Sequence, residues 1–369
     1  MKKAIIKIAM AAILVSAFVL GTDNVFAQQG AKQADMTIDS ATKTATIEAA
    51  LKELNDRYVF PEVAKQMETN VRQRIGNKEY EAITSAEAFA KKLTEDLQSV
   101  SKDKHLRVRY SAQTIPVRKQ NGEPTAEEKA DYKNYMKRIN FSFEKVERMP
   151  GNIGYIKLNN FYEPELGAET VAAAMNFVAN TDALIFDLRE NGGGDPAMVA
   201  LICSYFFGDK PVHLNSLYWR EGNKTEDFYT KPNVSGRKYT DKDVYVLTAN
   251  RTFSGAEEFS NNLKVLKRAT IVGETTGGGA NPGGMFRLND HFGMFVPTGR
   301  AINPITKTNW EGTGVEPDVK VAKEIALKTA YLSALNKNLE RSKDENFKSG
   351  LKELIEKNRK ELEEMQSKK

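Results

Sequence analysis

From Gly151 onward the chain alternates short apolar runs with amphipathic ones, and that rhythm constrains its fold more than any other feature. NIGYIKL is followed by a helical pattern near 165–180 carrying Val171, Met175 and Val178, and then by the apolar run ALIFDL. Helix-like AMVALICSYFF, strand-like VYVLTA at 244–249, helical GAEEFSNNLKVL and strand-like ATIVG come next. Strands alternating with helices predict an α/β domain over 151–325, with functional residues on loops at the strand ends.

The chain ahead of this domain has a different period. Ile47, Leu51, Leu54 and Tyr58 fall at helical spacing, as do Val63, Met67, Val71 and Ile75, and then Phe89, Leu93 and Leu97. An N-terminal helical domain over 40–105 is expected, with Thr84 and Glu87 as a capping box for its last helix. LRVRY at 106–110 alternates like a strand and opens a polar connecting segment, 106–150, with a possible helix in EEKADYKNYMKR. A charged helical tail over 326–369 carries a stripe of Leu351, Leu354, Ile355, Leu362 and Met365, suited to packing on the body or on a partner.

Residues 1–27 open MKKAIIK, continue through apolar IAMAAILVSAFVLG and end in Val25-Phe26-Ala27. This is the pattern of a secretory signal peptide cleaved after Ala27, and it predicts a periplasmic or extracellular protein. A retained anchor is the alternative, but the apolar run is short for a bilayer span. No later segment is long and apolar enough to cross a membrane. Removing the leader lowers the formal charge from +5 to about +3, with lysines and arginines dispersed, so no nucleic-acid partner is expected. The single Cys203 rules out an intramolecular disulfide and a cysteine-built zinc site. With only His105, His213 and His291 available, neither metal nor cofactor is expected.

Two stretches could carry chemistry. DALIFDLRENGGGDP runs a buried strand into Arg189 and three glycines, whose amides can face one point without a Cβ in the way. The loop suits an anion or a transient oxyanion, and equally a tight strand-to-helix turn; it lacks the GxxxxGK[ST] phosphate pattern. Asp187 and Arg189 read as a scaffold ion pair. In VYVLTANRTFSGAEEF a strand ends and Ser254 begins a helix, where the helix dipole favours developing negative charge. Ser254 with Glu257 could equally be a capping box. Gly255 offers an adjacent amide for an oxyanion.

A serine nucleophile needs a base. Lys264 lies ten helical residues from Ser254, roughly 15 Å, which is beyond its reach. Histidine remains, and spacing favours His105, in SKDKHLRVRY, only modestly over His213 and His291.

DLRENGGG, TFSGAEEF, ATIVGETTGGG and GRAINPITKTNWEGTGVEPDV, in that order, resemble the C-terminal processing peptidases, serine peptidases that include tail-specific proteases, the tricorn core protease and retinoid-binding protein repeats. The likeness spans about 45–325. It implies a crotonase-like ββα-spiral core carrying an N-terminal helical domain. The tail-specific branch uses a Ser-Lys dyad, but Thr275 of GETTG stands in the lysine's place here, and the PDZ domain of that branch is missing. The tricorn-like branch implies instead a catalytic set of Ser254, His105 and Glu311, from WEGTGVEPD. Gly255 with Gly192 or Gly193 would form the oxyanion hole. A tricorn-like helper serine beside the histidine is not evident. The expected activity is a serine endopeptidase acting on peptides or proteins. The competing expectation is a non-catalytic binder of apolar ligands or peptides on the same fold.

Overall fold

The computed structural model describes residues 33–117 and 124–367, so the expected signal peptide lies outside the described residues. In chain order the first elements are α1 (Ser40–Arg57), α2 (Pro61–Gly76), α3 (Ala86–Ser101), β1 (Arg107–Tyr110), α4 (Ala126–Arg138) and β2 (Phe143–Met149). The middle of the chain forms β3 (Ile153–Leu158), α5 (Pro164–Val178), β4 (Ala183–Asp187), α6 (Pro196–Ser204), β5 (His213–Trp219), β6 (Lys224–Tyr229), β7 (Asp243–Thr248) and α7 (Gly255–Val265). It closes with β8 (Thr270–Gly273), β9 (Gly283–Arg287), β10 (Phe292–Pro297), β11 (Gly299–Ile302), β12 (Val319–Lys320), α8 (Lys323–Arg341) and α9 (Glu345–Ser367).

The central sheet has the order β12-β8-β7-β4-β3-β2 and is parallel except for β2, which runs antiparallel to β3. Its inner strands are apolar on both sides because helices cover both faces. Along β4, Leu184 and Phe186 face a core shared with α5, α6 and α7, while Ile185 faces α8 and α9. Ala330, Ala334 and Leu335 of α8 and Leu351 and Ile355 of α9 are buried there, so the first part of the tail's apolar stripe packs on the body, while Met365 near its end is exposed. Cys203 is buried in the first core.

Two parts of the sequence behave differently from expectation. The connecting segment is not all connection: β2, in FEKVERM, joins the sheet edge, where its exposed charges hid it from a search for apolar strands. The cap of α3 is Ser85, whose hydroxyl accepts from the Ala88 amide at 3.0 Å, in place of Thr84.

The N-terminal helices are not free of the core. β1 pairs antiparallel with β10, which also pairs with β9, and Phe292, Met294 and Val296 of β10 are buried against α1, α2 and α3. Arg220 clamps the junction by donating to the carbonyls of Tyr58 and Asn55.

Candidate active site

β4 and β7 are neighbouring parallel strands, with Asp187 opposite Leu247, so the loops leaving their carboxyl ends emerge side by side. In open α/β sheets this is where ligands bind. The loop after β4 carries the three glycines; the loop after β7 carries Ser254. They touch: a Cβ placed on Gly193 would sit 2.7 Å from both Ser254 Cβ and the Gly255 nitrogen. With φ +109° as well, only glycine fits that position. Asp187 and Arg189 form the expected pair beneath the loop, with Arg189 Nε 2.9 Å and Nη2 2.6 Å from the two Asp187 oxygens.

Ser254 stands at the start of α7 with φ 54° and ψ −121°, a conformation that is sterically costly for a residue with a side chain. Such strain persists only where the surroundings enforce it, and it is concentrated at functional sites. Glu257 supplies part of the enforcement. Its buried carboxylate accepts from the Ser254 amide at 2.9 Å, the Thr276 hydroxyl at 2.5 Å and the amides of Gly278 and Gly279 at 2.6 and 2.8 Å. Burial outweighs these hydrogen bonds and pushes the Glu257 pKa up to about 7. The glycine-rich stretch after β8 is thereby pinned to the first turn of α7.

His105 arrives from the other side, in the turn between α3 and β1. Lys102 ends α3 in the left-handed conformation, and Lys104 Nζ reaches across to the Gly277 carbonyl at 2.5 Å. The His105 ring lies 4.5 Å from the ring of Phe253, the residue before Ser254, and stacks 5.7 Å from Phe295. This apolar setting, with Arg107 nearby, lowers the His105 pKa to about 4, so the imidazole is neutral and able to accept a proton.

Glu311 sits in the turn that follows Trp310, whose Nε1 donates to the Gly279 carbonyl at 2.7 Å. One Glu311 oxygen accepts from the Ala280 amide at 2.6 Å. The other, Oε1, is buried without a partner, and so is His105 Nδ1. A ring nitrogen of His105 and an oxygen each of Glu311 and Asp103 lie within 4.8 Å of one another. Burial first, and then the Asp103 carboxylate, raises the Glu311 pKa to about 8. Among the described residues this trio is the group with donor atoms gathered closely enough to ligate a cation.

The structure thus brings together His105 with Glu311, and Ser254 with Gly193 and Gly255, and joins the two halves through Phe253 and Gly279. A Cβ on Gly279 would meet the Phe253 ring and come within 2.7 Å of His105 Cε1. The Gly193 amide donates to Asn191 Oδ1 at 2.8 Å, and a Cβ placed on Gly255 would lie 3.0 Å from the Gly194 nitrogen. His213 and His291 have other partners: His213 Nε2 contacts Ser216 Oγ at 3.0 Å and stacks on Tyr229, and His291 Nδ1 contacts the Ser111 carbonyl at 3.0 Å. Sequence reasoning missed Asp103, which stands two residues before His105 in a run of charged residues.

Comparison with known proteins bears on the family and the fold. Residues 152–321 match the model of peptidase family S41, and residues 36–149 match the model described as the N-terminal domain of that peptidase family in eukaryotic IRBP. The chain is 32% identical over 167 residues to carboxyl-terminal-processing peptidase 2, chloroplastic, of Arabidopsis thaliana, covering 45% of this chain and 31% of that protein. The match therefore spans about a third of that relative's length. A candidate peptidase from Parabacteroides merdae shares the fold at TM-score 0.55 and 18% identity, covering 78% of this chain and 95% of that one. A lipoprotein from Streptococcus agalactiae does so at TM-score 0.51 and 15% identity, covering 80% and 97%.

Proposed function

Because the chain belongs to peptidase family S41, we propose that it is a serine endopeptidase that cleaves peptide bonds through an acyl-enzyme on Ser254. His105 takes the Ser254 hydroxyl proton as the oxygen attacks the scissile carbonyl, and later returns it to the leaving amine. Glu311 orients the imidazole and offsets its charge once protonated. The amides of Gly255 and of Gly192 or Gly194 receive the oxyanion, with Gly193 shaping the loop. The observation that carries this reading is the gathering of His105 and Glu311, each with a buried atom that lacks a partner, while the His105 ring packs on Phe253, the residue before the strained Ser254. Catalytic hydrogen bonds are often long without substrate and tighten around it. The leader-like residues 1–27 support export to the periplasm or the exterior, where the substrate is a peptide or protein.

A fluorophosphonate probe tests the assignment. It should label the protein at Ser254, with labelling lost in Ser254→Ala and slowed by about 100-fold or more in His105→Ala, the scale of a general base. A native protein that resists the probe but binds an apolar ligand tightly would instead be a binder on a peptidase fold.

A further inference from the structure

Asp103 is 1% exposed, yet it lies in a turn between an N-terminal helix and a strand, where acidic residues normally face water. Each of its oxygens is engaged. Oδ1 accepts from the His105 amide at 3.0 Å; Oδ2 accepts from the Tyr58 hydroxyl at 3.2 Å and from Asn281 Nδ2 at 2.8 Å. These partners come from three places: the end of α1, the histidine's own backbone, and the glycine-rich stretch. Asn281 adjoins Ala280, whose amide holds Glu311. A single carboxylate therefore fastens the histidine's main chain to the loop that positions the glutamate.

We propose that Asp103 is a positioning residue of the active site, which locks His105 against the Asn281 loop and stands as a second carboxylate beside Glu311. This rests on the peptidase reading for its consequence, but not for its measurement. Two carboxylates within 4.8 Å cannot both ionise without cost. Burial pushes the Asp103 carboxyl up as well, but three donors oppose that push, whereas Glu311 Oε2 accepts from the Ala280 amide and its Oε1 is buried without a partner. Asp103 is consequently the charged member, and Glu311 keeps a proton into the neutral range. The other groups facing the pair reinforce this. Glu257 on α7 adds negative charge near Glu311, and Tyr58 is a neutral donor. The neutral His105 is flanked by Arg107, and Lys104 turns away to Gly277. Glu311 can balance an imidazolium only after losing its proton, so the reaction gains speed as pH rises through that titration.

The test replaces Asp103 by neutral residues, Asp103→Asn and Asp103→Ser, with thermal melting to confirm folding. Carbon-13 NMR follows the Glu311 carboxyl, assigned by its loss in Glu311→Gln, and needs no catalysis. In the wild type it should titrate near pH 8; in either neutral variant the midpoint should fall by about one pH unit or more. The rise of fluorophosphonate labelling with pH should move by the same amount, with a plateau about tenfold lower as His105 loses its anchor. An unmoved Glu311 midpoint overturns the proposal, whatever happens to the rate. Failure of both variants to fold overturns it too, because the residue then serves the fold and not the site. A wild type that never labels, yet shows the shifted midpoint, sinks the peptidase reading alone.

Discussion

Ser254 pays for its position with backbone strain, and the neighbours that enforce the strain can be tested one at a time. Gly193 is the most exacting of them, since a methyl there would press on the Ser254 Cβ and the Gly255 nitrogen at a backbone angle that L residues rarely adopt. Gly193→Ala should reduce labelling of Ser254 by about 100-fold or more, the scale of losing an oxyanion donor. Backbone strain should also cost stability on the order of 1–3 kcal/mol. Labelling rate and a urea unfolding curve measure both; wild-type values in each would show that the loop does not shape the site. At this scale the sequence was informative where chemistry and backbone coincide. Three glycines after an apolar strand, and a serine opening a helix after another, marked the two loops, although each pattern alone left a plain turn or a capping box open. Asp103 was not legible, because an acid in SKDKH looks like every solvated acid until the fold closes over it. Nor could spacing alone choose His105 from three histidines; the resemblance of WEGTGVEPD and its ordered companions singled it out together with Glu311.

Among the elements, the legible ones are those buried either along their whole length or along one continuous stripe. β3, β4, β7 and β8 announce themselves as apolar runs because helices cover both of their faces, and α1, α2 and α3 because each buries a stripe. β2, β9 and β10 were not read. β2 exposes three of its seven residues, β9 begins with two glycines, and β10 is a short apolar run, FGMFVP, with a glycine at its second position. The tail helices were seen as helices, but their place was not. α8, with α9, covers one face of the central sheet, and Leu335 of α8 is fully buried. Leu335→Ala should destabilise the protein by about 2–5 kcal/mol, the range for emptying a packed leucine site. A midpoint in urea indistinguishable from wild type would mean that α8 is a dispensable cover.

Across the molecule, several buried acids make stability depend on pH in an unusual direction. Burial raises Glu258 to about 8 from an ordinary 4.5, and also raises Glu311 to about 8 and Glu257 to about 7. Between the ordinary and the raised values the folded chain holds protons that the unfolded chain has released. Stability from these groups is therefore full at the acid end of the window and declines as pH rises through the folded values. His105, lowered from 6.5 to about 4, acts in the opposite sense between those values. Glu258→Gln isolates one contribution, because the amide resembles the protonated acid but cannot ionise. Relative to wild type, this variant should melt at a higher temperature at pH 9 than it does at pH 5. Parallel curves across that range would remove Glu258 from the account.

The pairing of β1 with β10 also has a consequence in time. The proposed set is drawn from residues 105, 254 and 311, so its histidine is synthesised early, its serine much later and its glutamate last. The strand that seats His105 cannot pair until β10 exists, and the turn holding Glu311 follows that strand. A growing or unfolded chain therefore carries each reactive group without its companions. The three proposed groups meet only once β10 and the turn that follows it are in place, so the candidate site is assembled by the last part of the fold to form.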